Sequence, residues 1–309
     1  MQSTNALIEL GRLLKLQGYR FIPVTPATHA RVNARPENAL ANGLDGVFGW
    51  SRRFRPDLLP PRMVELLDQA DAIEVEGNLL RSRVRFASLD NMLFVHSAFP
   101  TTAPDSVFFG PDTYRFANVL RRIPFALGAR VVDIGAGSGA GGLYIRRRAA
   151  GRIMLVLSDI NERALRCAEV NVAINRCHDV EIVHSDVLDG VDGLFDLILA
   201  NPPYMIDANG PAYRNGGAGG VGLSLRIVRE SLPRLARGGT LALYTGTAIR
   251  DGRDAFHDEV MLIAAETGFE ALYDEIDPDV FGEELDQPPY ADVERIAAVS
   301  LIMRRRVHA

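Results

Sequence analysis

Lysine is almost absent from this 309-residue chain: Lys15 is the only one among 34 lysines and arginines. Chemistry that needs a lysine elsewhere is therefore excluded, including the Tyr-x-x-x-Lys pair of one nicotinamide-dependent class. The arginine excess reads as genome composition, although arginine also suits bidentate contacts to phosphate or carboxylate. Cysteine is equally scarce, with Cys167 and Cys177 alone. Their spacing fits no zinc pattern, and one pair makes no disulfide framework for a chain this size. Cys167 falls in a helical pattern and reads as packing, and no metal site is expected. No apolar run approaches the ~20 residues needed to span a bilayer. Arg12 and Lys15 interrupt the first apolar segment, so no signal peptide, no membrane partner and a cytoplasmic location are expected. Repeats and low-complexity tracts are missing. A net charge of −5 leans away from a dominant basic face that grips nucleic acid.

What remains is ordinary for a globular protein: 47% hydrophobic and 24% charged residues, enough to bury a sizeable core. The length favours a core domain with a smaller one beside it. Apolar positions Leu7, Leu10, Leu13 and Leu14 predict a first helix over residues 5–17. Residues 21–61 are broken by Pro23, Pro26, Pro36, Pro56, Pro60 and Pro61 and read as loop. Two strand-like runs follow, 79–88 and 92–98, with Leu89-Asp90-Asn91 as a hairpin turn. In the first run Arg81, Arg83 and Arg85 alternate with Ser82, Val84 and Phe86, which predicts a basic, solvated face. A patch that docks an RNA or protein substrate is the alternative for it. Residues 1–105 are thus expected to form an N-terminal α+β unit that recognises substrate, and 100–104 to link it onward.

Beyond that linker strands and helices alternate, which predicts a mostly parallel sheet with helices on both faces. Strands are expected at 131–134, 153–158, 180–183, 195–200, 240–245, 269–276 and 296–303. Helices are expected at 139–149, 161–174, 223–237 and 251–267. The fold class is therefore α/β, with seven strands over residues 106–309.

The run Val131-Val132-Asp133-Ile134-Gly135-Ala136-Gly137-Ser138-Gly139 places a glycine-rich turn between the first strand and a helix. Glycine there permits a tight turn and close approach to a ligand, and the helix N-terminus favours a carboxylate by about 0.3–1 kcal/mol. Nicotinamide- and flavin-binding folds open the same way. Asp159, followed by Ile160, closes the second strand where a carboxylate can take both hydroxyls of a ribose. Asp186, followed by Val187, stands after the third strand, where it can accept from an adenine amino group; a turn or cap role is its plain alternative. Asp133 would be costly if buried and idle, and suits a ligand ammonium group, loop amides or both.

The fourth strand ends in Asn201-Pro202-Pro203-Tyr204. Ligands bind at the carboxyl ends of strands in open α/β sheets, so this motif faces the glycine-rich turn. The Asn201 side-chain oxygen and the Pro202 carbonyl can accept both N–H bonds of a planar nitrogen and aim its lone pair. The prolines stiffen the turn, and Tyr204 offers a ring to stack on the planar group. No strong base is needed against an already activated donor, so catalysis would rest on placement and electrostatics.

With these motifs the chain resembles the class I S-adenosylmethionine-dependent methyltransferases. Within them it looks like the small-domain group of release-factor glutamine methyltransferases and RNA base N-methyltransferases. The resemblance covers residues 106–303 and implies a Rossmann-like sheet. It also implies S-adenosylmethionine bound by Asp133, Gly135, Ala136, Gly137, Gly139, Asp159, Ile160, Asp186, Val187 and Asn201, and a target nitrogen held by Asn201, Pro202 and Tyr204. Phe108-Phe109-Gly110-Pro111-Asp112-Thr113-Tyr114 is similar to a segment covering the cofactor, which adds Thr113 and Tyr114. Gly219-Gly220-Val221-Gly222-Leu223 is one residue shorter than the corresponding Gly-Gly-x-x-Gly-Leu stretch of the glutamine-directed members. The glycine-rich loop 205–222 is expected either to close as a lid or to be a tolerant surface loop. The substrate expected is a protein glutamine amide or, alternatively, an exocyclic amine of a nucleic-acid base. A nicotinamide-dependent oxidoreductase and a non-catalytic binding partner remain the readings from other classes.

Overall fold

The computed structural model describes residues 2–207 and 210–306. The chain opens with three helices, α1 (Gln2–Leu16), α2 (Pro26–Asn33) and α3 (Pro61–Gln69), and four short strands, β1 (Ile73–Glu76), β2 (Leu79–Ser82), β3 (Val84–Leu89) and β4 (Met92–Ser97). Then come α4 (Pro111–Arg121), β5 (Arg130–Ile134), α5 (Ala140–Arg148), β6 (Met154–Asp159), α6 (Glu162–Ile174), β7 (Val180–His184) and β8 (Phe195–Ala200). The last third holds α7 (Gly222–Ser231), β9 (Leu235–Arg250), β10 (Arg253–Asp254), α8 (Ala255–Thr267), β11 (Glu270–Asp277) and β12 (Arg295–Arg304).

The main sheet runs β11-β12-β9-β8-β5-β6-β7, with the two-residue β10 folded back onto β9. Neighbours are parallel from β9 through β7, and β12 is antiparallel to both β9 and β11. This is the expected α/β architecture. Strand alternation divides its two faces. Val131, Leu197 and Leu199 pack with Phe116 and Leu120 of α4 and Leu143 of α5. Val132, Ile134 and Ile198 pack with Ile227 and Val228 of α7 and Phe256 and Val260 of α8.

Several expectations need correction. The run 79–88 is two strands: β2 pairs with β1, and β3 pairs with β4. The break follows from Ser82, whose hydroxyl donates to the Val84 carbonyl at 2.7 Å and accepts the Val84 N–H at 3.2 Å, a local turn that competes with the ladder. The basic solvated face therefore does not form. Arg81 donates to the carbonyls of Ser51 and Phe99, Arg85 is buried, and only Arg83 reaches the surface, beside Asp71. The prolines of 21–61 start structure as well as break it. Pro26 and Pro61 occupy the first turns of α2 and α3, where their missing N–H costs nothing. The helix expected over 223–237 stops at Ser231, ahead of Pro233, and the chain turns early into β9. α8 begins at Ala255, where Asp254 caps the Phe256 and His257 amides.

The first hundred residues close their own apolar cluster, which also takes in Val170 and Ile174 of α6. A polar clasp sits beside it. Asn171 accepts the Val95 N–H at 2.7 Å and donates to the Val95 carbonyl at 3.1 Å. One turn on, Asn175 accepts from Leu93 at 3.1 Å and donates to its carbonyl at 2.8 Å. Two side-chain amides thus stand in for a strand along the free edge of β4.

Candidate active site

Chain order along the sheet reverses between β5 and β8, and the crevice at such a switch point is where an open α/β sheet takes ligands. A cavity of about 250 Å³ lies there. The loop after β5 makes room for it. Gly135, Gly137 and Gly139 hold φ values of +63°, +55° and +78°, a region costly for residues with a Cβ. The Ala136 N–H donates to the Ser158 carbonyl at 2.9 Å, tying the loop to β6. A helix N-terminus then opens at Ala140, on the cavity wall.

Three carboxylates border this loop. Asp133 points to the α5 face, where its Oδ2 accepts the Gly142 N–H at 2.7 Å. Burial pushes its pKa up to about 7; the Gly142 bond pulls the other way and the Asp159 charge adds to the rise. Asp159 accepts from Gly137 N–H on Oδ2 at 2.8 Å and from Asn161 N–H on Oδ1 at 2.9 Å. Burial raises its pKa, against the pull of those amides. A carboxylate has about four acceptor sites, so these amides leave it capacity for a ligand hydroxyl. Asp186, half-exposed, accepts from Nη1 of Arg226 on both oxygens, at 2.8 and 2.9 Å, so an adenine amino group would share it with that arginine.

The turn after β8 lies opposite. Among the described residues, neither the Asn201 side chain nor the Pro202 carbonyl makes a hydrogen bond, and both residues line the cavity. Tyr204 is held tightly. Its hydroxyl donates to Oδ2 of Asp112 at 2.7 Å, while Tyr244 donates to Oδ1, also at 2.7 Å. Arg115 reaches the same Oδ1 at 3.1 Å and Asp277 at 2.9 Å. Burial first, and the Asp112 charge second, hold both phenols well above the ordinary range. Tyr204 is therefore a fixed donor and no base. Its ring meets the edge of Phe281 at 6.1 Å between centroids and leaves no room behind it, since a Cβ on Gly246 would sit 2.2 Å from the ring.

The cavity gathers Asp133, Gly135, Ala136, Gly137, Asp159, Ile160, Asp186, Val187, Thr113, Asn201, Pro202 and Tyr204 from five separate stretches of sequence. It does not gather Gly139 or Tyr114. Gly139 lies under Leu157 and Leu143, where a Cβ would come to 3.0 Å from the former, so its part is to admit the turn. Tyr114 points away from the cavity, donating to the Ser88 carbonyl at 2.8 Å and meeting the edge of Phe109. Sequence reasoning placed Phe108 and Asp112 within the segment similar to a cofactor cover but gave neither a role of its own, and it gave none to Tyr213 or Arg214; all four are on the cavity wall. Asp112 carried a faint signal, an acid directly after a proline that starts a helix.

The loop 205–222 is well anchored in its described part. The Met205 N–H donates to the Arg214 carbonyl and the Gly216 N–H to the Met205 carbonyl, Tyr213 stacks on Phe108 at 5.2 Å, and its hydroxyl lies 2.8 Å from that of Thr101. Two of its glycines serve close packing: a Cβ on Gly216 would meet the Gly220 carbonyl oxygen at 2.0 Å and Tyr204 Cα at 2.6 Å, and one on Gly220 the Tyr204 carbonyl oxygen at 2.6 Å. Residues 208 and 209 of this loop lie outside the described residues.

Residues 116–250 match the family model of the methyltransferase small domain. Among curated proteins, a release factor glutamine methyltransferase of Deinococcus radiodurans is 31% identical over 166 residues, covering 50% of this chain and 55% of the relative. A ribosomal RNA small subunit methyltransferase C of Pasteurella multocida is 38% identical over 85 residues, 28% of this chain and 25% of the relative. The chain thus spans from a quarter to about half of the length of these relatives. Among solved structures, TYW2 of M. jannaschii in complex with AdoMet superposes with a TM-score of 0.50 at 13% identity, over 76% of this chain and 94% of that one. That likeness is one of fold.

Proposed function

We propose that this protein transfers a methyl group from S-adenosylmethionine to a planar, sp² nitrogen. The observation that carries the reading is the pair of free acceptors, Asn201 Oδ1 and the Pro202 carbonyl, set beside the Tyr204 ring on the wall of a carboxylate-bordered cavity. The small-domain family match and the names of both curated relatives support it.

The residues suit the cofactor's chemistry. Asp159 offers acceptors for the ribose hydroxyls, Asp133 an anion for the ammonium group, and the N-terminus of α5 a positive end for the carboxylate. Ile160 and Val187 would border the flat adenine and Asp186 would take its amino group, with Thr113 a further contact on the same cavity wall. When bound there, the cofactor supplies a methyl carbon on cationic sulfur; the N–C bond forms as the S–C bond breaks, leaving a thioether, and the nitrogen's extra proton passes to water. Asn201 and Pro202 accept the two N–H bonds, which favours a pyramidal nitrogen with an aimed lone pair. Tyr204, locked by Asp112, presents its ring to the planar group without titrating.

A glutamine amide and an exocyclic base amine both satisfy two acceptors and a ring. What separates them is the rest of the substrate, which residues 1–105 are proposed to read. The test is transfer of labelled methyl groups into a cell extract, followed by protease and nuclease. Label that resists incorporation with wild type, or that incorporates equally with Asn201→Ala, contradicts the proposal.

A further inference from the structure

Arg85 is a buried cation without a counterion. It lies on β3 opposite His96 of β4, is 3% exposed, and forms no ion pair among the described residues. Of its five N–H donors only Nε–H is used, in a long 3.4 Å bond to the Ser97 carbonyl. A buried charge left so is costly, and burial draws the guanidinium down to about 10. Its surroundings repeat the deficit. His96 is fully buried with both ring nitrogens unpaired, and His29 leaves Nε2 unpaired. Burial first, then the Arg85 charge, keep both imidazoles neutral, His29 down to about 4. Arg52 and Arg81 add to the positive field at His29, whose ring lies 4.1 Å from that of Phe99 and 5.3 Å from that of Trp50.

This cluster adjoins the cavity. Pro26, which starts the helix bearing His29, lines the cavity with Phe108 and Tyr213, and so does Val107, whose N–H donates at 2.9 Å to the hydroxyl of Ser97, the residue whose carbonyl Arg85 reaches. We propose that Arg85, with His29 and His96 beside it, is a phosphate-binding subsite for the nucleic-acid strand whose base enters the Asn201–Tyr204 turn. Tyr213 covers it and gives access when its hydroxyl leaves Thr101. A fixed guanidinium fork matches phosphate geometry, and neutral imidazoles can donate to its oxygens. The charge is local and internal, so the overall −5 does not report it. This deepens the proposed function and narrows its substrate to a nucleic acid.

The experiment uses the full chain, with inorganic phosphate as probe and S-adenosylmethionine binding scored separately by calorimetry, so that either reading can fail alone. Phosphate should raise the thermal midpoint of the wild type more than acetate or chloride of equal ionic strength. Arg85→Met should weaken phosphate binding at least tenfold and, in phosphate-free buffer, should melt no lower than wild type, because it removes an uncompensated charge. Tyr213→Ala should bind phosphate more tightly than wild type, the cover being gone. An Arg85→Met variant that melts lower and keeps its response to phosphate makes Arg85 structural and overturns the proposal. Acetate matching phosphate overturns the nucleic-acid assignment.

Discussion

The Asp112 junction allows the hydroxyl and the ring of Tyr204 to be separated. Tyr204→Phe removes one hydrogen bond to a buried carboxylate, a loss of about 1.5–3 kcal/mol. With an unfolding entropy of ~2.1 cal/mol/K per residue, the 309 residues give ~0.65 kcal/mol/K, so the midpoint should fall by ~2–5 °C. Asp112→Ala strands two phenols and leaves Arg115 with Asp277 alone, a loss of about 3–6 kcal/mol, or ~5–9 °C. Because the pair shares one bond, the double variant should fall short of the sum by about 1.5–3 kcal/mol. Turnover should behave differently. The ring survives in Tyr204→Phe, and methyl transfer should stay within about fivefold of wild type. Tyr204→Ala loses the stacking surface, worth about 1–3 kcal/mol, or ~5- to 150-fold in kcat/KM. Differential scanning calorimetry and labelled-methyl kinetics read both. A Tyr204→Phe variant with an unchanged midpoint and abolished transfer would place the hydroxyl in the chemistry and refute the division drawn here.

Asp159→Ala should weaken S-adenosylmethionine about 10- to 150-fold, from the ~1.5–3 kcal/mol of bonds to an ionised acceptor, while Asn201→Ala leaves affinity nearly unchanged and lowers kcat; equal losses of affinity in both would contradict these roles. The raised pKa of Asp133, about 7, has a definite sign. Below it the free protein holds a proton that the unfolded chain releases, so this group's stabilising effect fades as pH climbs from about 4 to about 7. A ligand ammonium selects the ionised form, so binding near pH 6.5 should release a proton and strengthen toward pH 8, as titration calorimetry in buffers of different ionisation heat can show; Asp133→Asn should remove the release. Gly246→Ala drives a Cβ into the Tyr204 ring and should suppress methyl transfer while S-adenosylmethionine still binds; retained transfer would mean that the ring's place does not matter.

The parallel sheet and its cavity were legible because each depends on short-range grammar. Val131–Gly139 and Phe195–Tyr204 pair an apolar strand with a turn whose geometry needs glycine or proline, and the strand ends collect such turns at one crevice. The N-terminal part was less legible. The alternation of Arg81, Arg83 and Arg85 with Ser82, Val84 and Phe86 has the period of one strand, but the two bonds of the Ser82 hydroxyl to Val84 end that strand and send Arg85 inward. Periodicity cannot foresee a bond made to the backbone two residues on. Asp112 was passed over because its partners, Tyr204 and Tyr244, lie 92 and 132 residues away. The glycines of loop 205–222 suggested freedom, yet two of them are there because Tyr204 and its own loop come too close for any side chain.

The asparagine clasp on α6 carries a consequence for how such proteins diversify. Asn171 and Asn175 read only main-chain N–H and C=O groups of Val95 and Leu93, which every residue but proline offers. The joint is therefore indifferent to which side chains the attached hairpin displays. A lineage could exchange that hairpin for one of another target preference and leave the donor-binding half untouched, and a chimaera built at the same seam inherits that tolerance.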